Sequence, residues 1–288
     1  MTSKFSPNRS SSLQREDVAS TLLNQTLTAP ELLAPAGSLR NMRYAFAYGA
    51  DAVYAGQPRY SLRVRNNEFS LENLAIGIKE AHALGKKFYV VSNIAPHNSK
   101  LGTYLKDISP VIAMKPDALI MSDPGLIMMV RDAFPEMPIH LSVQANAVNY
   151  ATVKFWQKQG IERVILSREL SLEEIETIRE HVPDMELEVF VHGALCMAYS
   201  GRCLLSGYMN KRDPNQGTCT NACRWSYDVK AGQENETGDI VQANEIDKKG
   251  TAPQMVIPTL GEGTPSTQVF MLEEKEKPGE LMPAFEDE

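Results

Sequence analysis

At 288 residues with 43% hydrophobic side chains, the chain can bury one large core with appendages and is not a small disulfide-stapled scaffold. Its net charge of −7 argues against a surface that coats nucleic acid generally, because phosphate binding depends on clustered Lys and Arg, but leaves room for a local basic patch. The first residues hold no apolar core of signal-peptide length, and no later run approaches the roughly 20 apolar residues of a membrane span, so a cytoplasmic protein with no membrane partner is expected.

In chain order, residues 1–29 are rich in Ser, Thr, Asn and Gln without periodicity and read as a flexible N-terminal arm. The pattern changes at Glu31. "ELLAPAG" reads as a strand, Ser38 as the cap of a helix over "LRNMRYAFAYGA" that ends at Gly49, and "DAVYAG" as a second strand. "KKFYVVSNI", "DALIMSD", "IHLSVQA", "ERVILSRE" and "ELEVFVHG" continue as aliphatic and β-branched runs separated by helix-like segments. "SLEEIETIREH" is the clearest helix start, with Ser171 and Glu174 at capping-box spacing and Leu172, Ile175 and Ile178 on one face.

This alternation predicts an α/β protein with a parallel sheet, and about seven units over residues 30–195 fit a TIM-like (β/α) barrel better than an open doubly wound sheet. No convincing eighth unit follows. The expectation is therefore an incomplete or atypically closed barrel, with a cysteine-rich insertion at residues 196–228 after the seventh strand. Residues 229–288 turn polar, acidic and rich in Pro and Gly; they read as a tail or linker in which "MVIP" and "TQVFML" are candidates for isolated strands.

Barrel chemistry gathers at the carboxyl ends of the strands. The polar residues there are Gln57, Asn93, Ser122, Asp123, Gln144, Arg168, Glu169 and His192. Any one of them is as readily a helix cap or a loop residue; together they mark a candidate site. All four cysteines, Cys196, Cys203, Cys219 and Cys223, fall in one short segment, whereas chance burial would scatter them. In a reducing compartment a disulfide framework is not expected, which leaves inert core or ligands.

The cysteine spacing is x6, x15 and x3, and only the last pair has the short knuckle typical of structural zinc. Iron–sulfur clusters accept varied spacing, and the small residues of "YSGRC" and "GTCTNAC" would let backbone amides approach the sulfides. A cluster is thus expected, with zinc as the alternative. A hydrolase reading takes Cys196 as nucleophile and His192 as its base, on one helical face, but gives the other three cysteines no work. His192 is equally readable as a hydrogen-bonded residue at a strand end.

"EVFVHGALCMAYSGRCLLSGYMNKRDPNQGTCTNACRW" resembles the signature of the collagenase-like peptidase family, and "ELLAPAGSLRNMRYAFAYGADAVYAG" is similar to that family's first two strand–helix units. The resemblance covers about residues 30–228. Within the family it is strongest to bacterial members that hydroxylate C5 of the wobble uridine of tRNA and depend on prephenate; relatives hydroxylate ribosomal RNA or the ubiquinone ring without molecular oxygen. It implies a [4Fe–4S] cluster on Cys196, Cys203, Cys219 and Cys223, prephenate as co-substrate and the tRNA anticodon loop as partner.

On that reading Arg168 is the first candidate for clamping a dicarboxylate, followed by Arg202 and Arg224, with Gln144 and Asn93 as further substrate contacts. His192 and Glu169 are the acid–base candidates. Lys211, Arg212 and Arg224, and separately Arg63 and Arg65, are candidates for phosphate contact and equally for solvated surface. Family members look longer, continuing into a small C-terminal β domain, so an N-terminal fragment is expected. Two alternatives remain: a collagenase-like cysteine or metal-dependent peptidase, and a noncatalytic cluster-bearing partner subunit.

Overall fold

Seven of the short aliphatic runs pair into one parallel sheet whose spatial order follows the chain. The strands are β1 (Leu33–Pro35), β2 (Ala52–Gly56), β3 (Lys87–Ser92), β4 (Ala118–Met121), β5 (Ile139–Leu141), β6 (Arg163–Ile165) and β7 (Glu186–Glu188). Between them run α1 (Leu39–Ala47), α2 (Leu71–Ala83), α3 (Asn98–Ala113), α4 (Pro124–Ala133), α5 (Tyr150–Lys158) and α6 (Leu172–His181). This computed structural model describes residues 29–62, 67–193, 196, 198–200, 202–224, 227–234, 240–242 and 269–274. Arg63, Arg65, "MVIP" and nearly all of the expected N-terminal arm lie outside the described residues.

Successive strand side chains point to opposite faces, which separates two apolar layers. On the outer face Val53, Phe88, Val90, Leu119, Leu141 and Val164 pack with the helix residues Met42, Leu74, Ile78, Ile108, Leu126 and Val130. Each such side chain contributes about 1.5–3 kcal/mol when fully buried. On the inner face Ala52, Tyr89, Val91, Ala118, Ile120, Val143 and Ile165 meet, with Leu33 and Tyr54 beside them. Gly77 lets α2 close onto β3: a Cβ there would lie 2.8 Å from the Phe88 ring.

Helix starts follow the polar residues that end each loop. The side chains of Ser38, Ser70, Asp123, Asn149 and Ser171 each accept the backbone N–H three residues on. Ser171 and Glu174 complete the expected capping box, and Gly49 ends α1 with φ at +102°. Among the described residues no helix is long and apolar enough to cross a membrane.

The sheet is the incomplete TIM-like barrel expected, with β1 and β7 each bonded to one neighbour and not to each other. At the amino ends of the strands an ionic group spans the interior between them. Arg163, on the inner face of β6 with Ile165, donates to Glu31 at 2.7 Å just before β1, and to Glu186 at 2.8 Å and Glu188 at 3.5 Å on β7. The Tyr89 hydroxyl donates to Glu31 at 2.8 Å, Lys87 pairs with the same carboxylate at 2.7 Å, and the His140 ring packs edge-on to Tyr89.

Burial works to raise the Glu31 carboxyl, but the bonds from Arg163, Lys87 and Tyr89 outweigh it and hold the group at about 2. Glu188 has only the long contact to Arg163, so burial pushes it up to about 7. Burial, seconded by the charge of Arg163, holds His140 down at about 3. Hydrogen bonding thus leaves Glu31 ionised, while burial leaves His140 neutral and Glu188 poised near neutrality.

Three expected strands differ in extent or pairing. "IHLSVQA" stops at Leu141, because the Ser142 hydroxyl accepts the Gln144 N–H at 3.4 Å and turns the chain into a 3-10 turn, Val143–Ala145. "ELEVFVHG" stops at Glu188, whose partner is Ile165; beyond it Val189, Phe190 and Val191 are exposed, Val191 by 84%. Among the described residues this strand has no neighbour on its outer side to extend the ladder. The "TQVFML" strand is not isolated: β8 (Tyr227–Glu234), β9 (Ile240–Gln242) and β10 (Val269–Glu274) form an antiparallel sheet of order β10–β8–β9. Pairing satisfies backbone groups that a lone strand would leave to water.

Candidate functional site

The polar residues read from the sequence gather where β2 to β6 end. Asn93, just after β3, ties several of these ends together. Its Nδ2 donates to the Ser142 hydroxyl at 3.2 Å, its Oδ1 accepts from the Leu62 N–H at 3.1 Å, and its carbonyl accepts from the Ser122 hydroxyl at 2.9 Å. Asp123 caps α4, which is the plain helix-cap role. Gln57 is buried and donates to the Asp107 carbonyl at 3.3 Å, but its Oε1 has no partner. Ser142, at the end of β5, positions Gln144, whose Oε1 is buried without a partner; so is the Oγ of Ser167 at the end of β6.

Arg168 follows Ser167, and its guanidinium lies 4.0 Å above the Phe190 ring. A guanidinium that packs on an aromatic ring keeps its N–H groups available for a carboxylate fork. Glu169 is exposed on the same turn. His192 is exposed in the bend 191–193, neither at a strand end nor in a helix, and Cys196 is exposed as well. The helical face that the hydrolase reading requires for His192 and Cys196 is therefore not formed at His192.

The cysteine segment is tied to this same end of the sheet. After β7 it contains the helix α7 (Leu205–Asn210) and 3-10 turns at Pro214–Gln216 and Ala222–Arg224. Asn146, held at φ 54°, donates from Nδ2 to the Gln144 carbonyl at 3.0 Å and also to the Ser200 carbonyl, joining the β5 loop to the segment between Cys196 and Cys203. Asn215 brackets Cys203: its Oδ1 accepts the Cys203 N–H at 3.4 Å, and its Nδ2 donates to the Cys203 carbonyl at 2.9 Å. The Asn215 carbonyl accepts the Ala95 N–H at 2.9 Å, and Lys100 donates to the Gln216 carbonyl at 3.1 Å, so the loop after β3 and the start of α3 are fastened too.

The other three cysteines lie near enough to Cys223 to act on its thiol. Burial raises the Cys223 thiol, the Arg224 guanidinium pulls it back, and Cys219, Cys196 and Cys203 each raise it further. Among the described residues no three His, Cys, Asp or Glu side chains surround a point that would hold a single metal ion. Arg202 and Arg224 are exposed, as are Lys211 and Arg212.

The sequence reading missed Asn146 and Asn215, which look like ordinary turn residues, and the Arg163 group, whose members lie at strand starts rather than strand ends. For Asn146 the one available signal was its place just past a strand, where a left-handed backbone favours Asn.

Two relatives extend these observations. The chain is 74% identical over 259 residues to "tRNA hydroxylation protein P" of Escherichia coli K12 and 71% identical over 262 residues to the protein of that name from Haemophilus influenzae. Each alignment covers 90% of this chain and 56% of the relative, so the chain spans little more than half the length of these proteins. Among solved structures, the U32 peptidase Mk0906 superposes with a TM-score of 0.50 at 15% identity, covering 60% of this chain and 74% of that one, a likeness of fold. Residues 37–257 match the family model of peptidase family U32, and the chain belongs to that family.

Proposed function

We propose that this chain takes part, in the cytoplasm, in hydroxylating the wobble uridine of tRNA at C5, with prephenate as co-substrate and a [4Fe–4S] cluster held by Cys196, Cys203, Cys219 and Cys223. The observation that carries the reading is the fastening of the four-cysteine segment, by Asn146 and Asn215, onto the strand ends that hold Gln144, Ser167 and Arg168. The names of the two relatives support the reaction class.

The donor set fits a cluster. Cys196, Cys203 and Cys219 all lie near enough to act on the Cys223 thiol, yet among the described residues no three ligands surround one ion-sized point; a single tetrahedral zinc would need its sulfurs about 3.8 Å apart. When bound, a cluster of this kind supplies one-electron transfer, or Lewis acidity at an iron with a labile ligand.

The remaining work belongs to the chain. Arg168, stacked on Phe190, would bind and orient one carboxylate of the co-substrate through its free edge. Glu169 and His192 are exposed at the same end and would exchange protons with the reacting base or with water. A uridine in a single-stranded anticodon loop reaches such a rim more cheaply than one stacked in a helix.

The test is iron, acid-labile sulfide and zinc content of anaerobically purified protein, beside that of Cys219→Ser, followed by assay of uridine hydroxylation with prephenate. About four irons and four sulfides per chain, lost in the variant, are expected. Stoichiometric zinc would overturn the cluster assignment, and peptide cleavage abolished by Cys196→Ala would put the peptidase reading first.

A further inference from the structure

Among the described residues the side-chain amide of Gln144 makes no hydrogen bond. Its Oε1 is buried and unpaired, while its backbone is held on both sides: the N–H donates to the Ser142 hydroxyl at 3.4 Å, and the carbonyl accepts from Asn146 at 3.0 Å. Leaving a buried amide oxygen unsatisfied costs about 1–3 kcal/mol. At the end of β6 the Ser167 hydroxyl is also unpaired among the described residues, and its residue is only 3% exposed. Ser167 donates its backbone N–H to the Ala147 carbonyl, so both residues belong to one pair of adjoining loops. Asn146, between them in sequence, reaches the cysteine segment at Ser200 and has its own Oδ1 unpaired.

Buried amide oxygens accept hydrogen bonds and repel anions, so a dicarboxylate is a poor occupant for this part of the rim. A ligand with an N–H beside a carbonyl suits it, since a carboxamide pairs with such an edge through two hydrogen bonds. We propose that Gln144 is a specificity-determining residue that reads the imide edge of the target uracil, its Oε1 accepting the N3–H and its Nε2 donating to the neighbouring carbonyl. This rests on the RNA reading above and deepens it. It also divides the rim by charge: the anion at Arg168, the neutral base at Gln144. C5 adjoins the imide edge but is not part of it, so holding that edge leaves C5 free to face the reacting groups.

The test compares two stem-loop RNAs identical except that the wobble uridine is replaced by N3-methyluridine, which lacks the donor. Affinities for the full chain, wild type and Gln144→Met, are read by fluorescence anisotropy, with thermal melting to confirm that the variant folds. Wild type is expected to bind the methylated RNA about 10-fold or more weakly. Gln144→Met should lose a similar factor on the unmodified RNA and almost nothing further on the methylated one, because the same hydrogen bond is removed from either side. Equal wild-type affinity for the two RNAs, or penalties that multiply in the variant, would overturn the assignment while leaving the RNA reading standing. If the wild type binds neither RNA, the assignment and the reading on which it rests fall together.

Discussion

Replacing Glu188 by Gln should stabilise the protein at alkaline pH and not at acid pH. The Glu188 side chain is 19% exposed on the inner face of β7, and its contact to Arg163 is long, at 3.5 Å. Burial moves its carboxyl from the ordinary 4.5 to about 7. Between these values the folded chain keeps a proton that the unfolded chain has lost, so stability falls as pH rises through this window. The displacement is worth at most about 3 kcal/mol, fully expressed above pH 7 and absent below about 4.5. Glutamine resembles the protonated carboxyl and still offers an oxygen to Arg163. Urea unfolding at pH 5 and pH 8 should show wild type and E188Q close together at the lower pH, and E188Q the more stable by about 1–3 kcal/mol at the higher. The same offset at both pH values, or an E188Q that is weaker at pH 8, would refute the reasoning.

The same group makes the opposite prediction for Arg163→Met. Removing the shared donor leaves Glu188 facing Glu31 inside the sheet with no cation of its own and Glu31 with Lys87 alone, and a loss of about 3–5 kcal/mol in urea unfolding at pH 7 is expected; a loss under about 1 kcal/mol would show that Lys87 suffices for Glu31. Asn215→Ala removes both side-chain bonds to the Cys203 backbone and should expose that thiol: its alkylation rate in the metal-free protein should rise severalfold while global melting shifts little, and an unchanged rate would mean that other contacts hold the turn.

The order of strands and helices was legible because most strands alternate between two apolar faces and five of the six helices between them begin at a side chain that caps them. Ser38, Asp123 and Ser171 announce their helices as plainly in the sequence as in the structure. The Arg163 group was not legible. Glu31 and Arg163 are 132 residues apart, and each looks like a charge that merely bounds a strand. In "ELE" at β7 the usual pattern is inverted: Leu187 packs toward the helices, while Glu186 and Glu188 share the face that meets Arg163. The four cysteines stood out as a cluster, but the amides that fasten their segment did not. A side chain such as Asn215 owes its role to a backbone brought to it by tertiary structure, which no local pattern records.

The link from Glu31 to Arg163 also bears on the order in which the chain acquires its shape. At about 5–20 residues per second of synthesis, 132 residues separate the appearance of the two partners by roughly ten seconds. During that interval β1 to β5 can pair locally, but the Glu31 carboxylate has only Lys87 and the Tyr89 hydroxyl beside it. Drawing it into an apolar interior before Arg163 emerges would cost desolvation with Lys87 as its only counter-charge among the described residues. Glu31 therefore completes its set of partners only after β6 has been made, through a contact of far greater sequence separation than those to Lys87 and Tyr89.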